Sequence, residues 1–99
     1  MVKIVWTEIS IIDLKEIFEY IAADSKNYAL ITTQKIFQRA QDIISNPYSG
    51  RTVPEFNKKD IRELIEGNYR IIFRIRNQEQ VDILRVYHSS RLLTRKSIK

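Results

Sequence analysis

The side chains best suited to chemistry on a charged partner lie in the second half of the chain, where Arg70, Arg74, Arg85 and Arg91 accompany Glu63, Tyr87 and His88. A guanidinium offers a planar fork that clamps phosphate or carboxylate through two parallel hydrogen bonds. An imidazole exchanges protons near neutral pH, and a carboxylate with a phenol can serve as base and acid. Each residue also has a plainer role. Arg70 can solubilise an open sheet face, His88 can be a hydrogen-bonded residue at a strand end, and Glu63 can pair with Arg70 or Arg74 across strands. Metal chemistry is not expected, since there is no cysteine and the single histidine leaves a zinc ion too few good ligands. No cofactor is implied.

Charge is unevenly spread. Residues 1–49 carry five Lys/Arg and six Asp/Glu, whereas residues 50–99 carry twelve and six, so the net +5 belongs to the second half. Nine of the seventeen basic residues are arginines, and five of these fall between Arg70 and Arg91. Such a field favours nucleic acid or an acidic protein partner. At 99 residues and 43% hydrophobic composition, the chain reads as one folded domain spanning 1–99. No apolar run approaches the roughly 18 residues of a membrane span, and the amino terminus has no signal-peptide layout. A cytoplasmic location is the expectation.

These residues need elements to hold them. Val2 to Trp6 alternates in the strand period, and Thr7 and Ser10 then offer helix caps. Ile11, Leu14, Ile17, Phe18 and Ile21 form one helical stripe with Asp13, Glu16 and Glu19 off it, ending near Ala23. After a polar break at residues 24–27, a second stripe runs through Ala29, Thr33, Ile36, Phe37, Ala40, Ile43 and Ile44 until Asn46-Pro47. From Ile61 the pattern turns to β in three runs, 61–66, 69–76 and 81–87, broken at Gly67-Asn68 and at residues 77–80. The order is β-α-α-β-β-β, with a short helix possible near Leu92-Leu93. The fold class is α+β, an antiparallel sheet packed on a helical hairpin.

Hairpin geometry sorts the sheet residues by face. The turns set Leu64 opposite Ile71, Arg70 opposite Tyr87 and Phe73 opposite Leu84. Leu64, Ile71, Phe73, Ile75, Leu84 and Val86 then lie under the helices. Ile61, Glu63, Ile65, Arg70, Ile72, Arg74, Ile83, Arg85 and Tyr87 share the other face, where arginines stand on an apolar floor. A surface of that kind is expected to be covered by something.

Several segments are recognisable in order. They are Trp6, Ile12-Asp13-Leu14, Ile17 to Ala22, Asn46-Pro47, Gly50 to Glu55, Ile61-Arg62-Glu63-Leu64, Gly67 to Phe73, and Val86-Tyr87-His88-Ser89-Ser90-Arg91. Together they resemble the RelE/ParE family of type II toxins over nearly the whole chain. Gly50-Arg51 through Glu55, Ile61 to Leu64 and His88 to Arg91 are more similar to its ParE branch.

The resemblance implies a growth-arresting toxin, ParE-like, that inhibits DNA gyrase by binding and is neutralised by a cognate antitoxin with an acidic carboxyl-terminal segment in a hetero-oligomer. The other branch implies a ribosome-dependent endoribonuclease cutting mRNA, with Arg70 on the phosphate and His88 as acid or base. Ser89 stands where several nuclease members carry Tyr or Arg, so a natural catalytic partner is missing. A degenerate member that only binds antitoxin is a third alternative. Target or nucleic-acid contact is expected from Lys58, Lys59, Arg74, Arg85, Tyr87, Arg91, Arg95 and Lys96. Antitoxin contact is expected from Arg70, Ile72, Arg74, Ile83 and Arg85 and from the helix hairpin.

Overall fold

A computed structural model describes residues 2–89. Strand β1 (Lys3–Trp6) leads into helices α1 (Glu8–Ala22) and α2 (Lys26–Gln41). A two-residue strand β2 (Arg51–Thr52) and three longer ones, β3 (Ile61–Glu66), β4 (Tyr69–Ile75) and β5 (Gln80–His88), complete the order. The helices start where polar side chains take orphan amides. Thr7 Oγ1 accepts from the Ser10 amide at 3.2 Å, and Ser25 Oγ from that of Tyr28 at 3.1 Å. After α2 the chain tightens into 3₁₀ turns at Asp42–Ile44 and Pro47–Ser49, the second capped by the Asn46 side chain.

The sheet order is β1-β5-β4-β3-β2. The α+β class stands, but the sheet is mixed, because β1 runs parallel to β5 while the other pairs are antiparallel. The two helices between β1 and the rest of the chain provide the crossover that a parallel neighbour requires. Gly67, with φ of +57°, sits in the two-residue turn joining β3 to β4, a conformation that strains residues with a Cβ. Register there is as expected, from Ile61 opposite Arg74 to Glu66 opposite Tyr69.

Between β4 and β5 the register begins as expected, with Tyr69 opposite His88 and Ile72 opposite Arg85. It then shifts, so that Phe73 faces Ile83 and Leu84 is left as the extra residue of a bulge. The expected faces of these two residues are therefore exchanged. Ile83 is fully buried on the helix side, and Leu84 packs on the opposite side against Val53, Ile61, Ile72 and Tyr87. Thr7 braces the shifted backbone. Its hydroxyl donates to the carbonyls of both Ile83 and Leu84, at 2.7 and 3.3 Å, which alternate in a regular strand but converge at a bulge.

The main core lies between sheet and helices and contains Ile36, Ala40, Ile43, Leu64, Ile71, Phe73, Val81, Ile83 and Val86. The face of α1 turned to it keeps Leu14 and Ile17 of the expected stripe packed on the core, with Phe18 and Ile21 partly buried, but departs from it at the amino-terminal end. Asp13 and Ser10 are buried, whereas Ile11 is 55% exposed. Asp13 is drawn inward by the edge of β5, where its carboxylate accepts from the Val86 amide at 2.9 Å and from Arg85 at 2.8 and 3.0 Å. A second, smaller core on the other face joins Val53, Ile61, Ile72 and Tyr87, with Phe56 and Leu84 beside them. The surface expected to be covered is thus partly covered by the chain's own 53–56 segment.

Gly50 marks how closely that connection approaches the sheet. A Cβ there would lie 2.8 Å from the Glu63 carbonyl oxygen and 2.8 Å from the Phe73 ring. Among the described residues no helix is long and apolar enough to cross a membrane.

Candidate functional site

Arg70 lies on the loop-covered face of β4, and its side chain is 6% exposed. Its Nε donates to Glu63 Oε1 at 2.7 Å, and its two terminal nitrogens donate to the two oxygens of Glu55 at 2.9 Å each. Glu63 is placed by β3, opposite Ile72, with no exposed side-chain surface. Its other oxygen takes Arg51 of β2, which is largely exposed. Two arginines and two carboxylates thus form one chain of ion pairs, Arg51–Glu63–Arg70–Glu55. The hydrogen bond to Glu55 pushes Arg70 above its ordinary pKa against the opposing effect of burial, so the guanidinium stays charged. An open groove of about 420 Å³ runs beside it, lined by Arg51, Pro54, Glu55, Ile65, Arg70 and Ser89.

His88 belongs to a different groove. It is paired with Tyr69 across the strands, and the two rings meet edge to face at 5.7 Å. Strand alternation turns both toward the helix side, because Ile71 and Val86, two residues away on each strand, are in the helix-side core. The groove there, of about 480 Å³, is lined by Asp13, Glu16, Ile17, Tyr20, Tyr69, Val86, Tyr87 and His88. Burial raises the Tyr69 phenol pKa, with Tyr28 and Tyr20 adding to the shift. Arg70 and His88 are therefore not brought together. They project from opposite faces of the sheet.

The remaining sequence candidates divide by burial. Ile72 and Ile83 are fully buried, and Tyr87 is 3% exposed with the Arg85 guanidinium 4.4 Å above its ring. Arg85 is held by Asp13, whose hydrogen bond raises its pKa over the opposing effect of burial. Arg74 is half-buried, its Nε 3.7 Å from Asp60. Lys58 and Lys59 are exposed in the connection before β3. Arg91, Arg95, Lys96 and the helix expected near Leu92-Leu93 lie outside the described residues.

Sequence reasoning passed over Asp13 and Glu55 as site residues. For Asp13 a signal existed, since Ser10, Asp13 and Ile17 share one helical face. For Glu55 there was none, because its partner is fifteen residues away across a loop.

The helix hairpin also leaves apolar surface in solvent, including Ile9, Ile12, Leu30 and Ile31, all between 40 and 47% exposed. That surface and the two grooves can bind. Acid–base cleavage would need an acid or base beside Arg70, where the geometry supplies two ion-paired carboxylates.

A family model described as the ParE toxin of the type II toxin–antitoxin system parDE matches residues 4–93. The chain belongs to the ParE toxin family. Its fold agrees with that assignment. Among solved structures, the chromosomal ParDE toxin–antitoxin system from P. aeruginosa is similar, with a TM-score of 0.73 and 22% identity over 89% of this chain and 96% of that one. The toxin–antitoxin complex RelBE2 from Mycobacterium tuberculosis is similar at a TM-score of 0.56, with 22% identity over 88% of this chain and 96% of that one. At that identity both show a shared fold. No curated protein matches the chain in sequence. The ParE-family match runs from the second residue of β1 through β5, hence over both grooves and the Arg70 ion-pair chain.

Proposed function

We propose that this ParE-family toxin arrests growth by binding DNA gyrase rather than by cutting RNA, and that a cognate antitoxin with an acidic carboxyl-terminal segment neutralises it. The observation that carries the reading is the state of Arg70. Its fork is filled by Glu55 and Glu63, and it faces away from His88, so the cation and the imidazole of a cleavage reaction do not share a site. Binding asks less of the geometry. The exposed Lys58 and Lys59, together with Arg91, Arg95 and Lys96 in the sequence beyond the described residues, are the contacts we assign to the target. The apolar helix surface and the half-buried Arg74 are assigned to the antitoxin, whose partnership with a similar toxin is seen in the ParDE system.

The test is induction of the chain without antitoxin, following plasmid supercoiling, the DNA-damage response and translation in the same cells. The expected outcome is altered supercoiling and damage signalling before any fall in translation, with toxicity kept in His88→Ala. Immediate loss of translation with codon-positioned mRNA cuts would overturn the proposal, as would the absence of any growth effect.

A further inference from the structure

The two carboxylates on Arg70 are anchored very differently. Glu63 lies in the middle of β3 and is fixed by the strands on both sides of it. Glu55 sits in a turn after Pro54, in which the amides of Phe56 and Asn57 both return to the Val53 carbonyl, at 3.1 and 2.8 Å. Val53 is fully buried and pins the base of that turn, while Glu55 rides on its exposed part. Side-chain rotation alone can therefore lift Glu55 from Arg70 without breaking a strand pairing. Its end-on contact, two oxygens on two terminal nitrogens, is the fork-to-fork arrangement by which arginine takes an incoming carboxylate or phosphate. The groove of about 420 Å³ opens directly onto this contact.

We propose that the Arg70 fork is an oxyanion seat for which Glu55 is the resident stand-in, and that an acidic side chain of a partner polypeptide takes the seat by exchange with it. Glu63 decides between the two anion classes. It stays on Nε of the same guanidinium, so a phosphate carrying up to two charges would add repulsion beside a fixed carboxylate. A carboxylate replacing a carboxylate leaves the charge of the seat unchanged. Glu55 itself returns to water. Pro54 and Ile65, the latter 40% exposed, give the flanking residues of an acidic peptide an apolar wall. Occupation by Glu55 also lowers the fraction of molecules ready to bind, so its removal raises the apparent affinity without adding a contact. The identity of the partner as an antitoxin rests on the function proposed above; the seat does not.

The experiment compares the unaltered chain with Glu55→Gln, each titrated at low salt with capped hexaglutamate and separately with inorganic phosphate. The readouts are the dissociation constant and the Arg70 Nε–Hε resonance, with thermal melting to verify the fold. Glu55→Gln is expected to bind hexaglutamate at least about tenfold more tightly than the unaltered chain, with a shifted Arg70 resonance and a smaller gain for phosphate. Adding Arg70→Lys should abolish that gain, because an ammonium lacks the fork. A folded Glu55→Gln chain with no gain would overturn the proposal. So would a gain that survives Arg70→Lys, or a larger gain for phosphate than for peptide. Glu55→Asp, which retracts the carboxylate by one methylene, replaces Glu55→Gln if the latter melts early. Since no step depends on toxicity, failure here is separable from failure of the gyrase reading.

Discussion

The two faces of the sheet are buried by different means. On one, two helices cover an apolar layer of Phe73, Ile71, Ile83 and Val86, while on the other a short connection covers Ile72, Ile61 and Tyr87 beside a chain of four ion-paired side chains. The first is held by area and packing. The second mixes packing with charges that have left water, and such pairs are costly to break but can be replaced as a unit by apolar groups. The interior of the helix side is therefore held by shape and area, whereas the loop side is where the fold accepts buried charge.

The sharpest separation comes from paired substitutions. Phe73→Ala should cost about 3–5 kcal/mol, read from the midpoint of urea unfolding. Glu63→Leu should cost a similar amount, about 3–5 kcal/mol, by leaving Arg70 buried without its inner partner. The difference appears on adding a second change. Glu63→Leu with Arg70→Met should recover most of the loss, whereas a second core substitution beside Phe73→Ala should deepen it. Equal behaviour of the two double variants would break the comparison.

Thr7→Ala removes the cap of α1 and the hydroxyl that gathers the bulge carbonyls, and should cost about 1–2 kcal/mol. Backbone amide shifts at Ile83 and Leu84 should accompany that loss.

The pH dependence follows from Asp82, whose carboxyl burial pushes up and the hydrogen bonds from Arg76 and Gln80 pull down, leaving it below its ordinary value. The folded chain binds this proton less readily than the unfolded one. The stabilisation is then fully present above the ordinary carboxylate pKa and is lost as pH falls below about 4 through the depressed value. Asp82→Asn should flatten that part of an acid-unfolding profile.

The smallest effect is expected for Arg39, which reaches from α2 to the Ile65 carbonyl at 3.2 Å while paired with the exposed Asp42. Arg39→Ala should cost under about 1 kcal/mol and diminish further in salt.

Much of the fold was legible where local chemistry dictates geometry. The Gly67-Asn68 turn fixed every pairing between β3 and β4, and the apolar spacing located both helices. The β4–β5 register failed halfway because Ile83 and Leu84 are both apolar, so shifting one residue leaves the hydrophobic pattern acceptable on either face. Long-range partners were invisible for a related reason. The helical face that Asp13 shares with Ser10 and Ile17 hints at its burial, but nothing near it announces its partners Arg85 and Val86, 72 and 73 residues later. At the candidate site the pairing of Glu63 with Arg70 could be anticipated from strand alternation, whereas Glu55 arrives by way of an irregular turn.

The position of β5 has a consequence for how the chain assembles during synthesis. It is the last of the described strands in sequence yet lies between β1 and β4, so β1 gains its neighbour among them only once residues 80–83 have been made. The Asp13 carboxylate likewise waits for Val86. A nascent chain released from the ribosome before that point carries the unpaired facing edges of β1 and β4, a feature that invites proteolysis and aggregation. Incomplete copies are thus exposed to removal before either groove has formed.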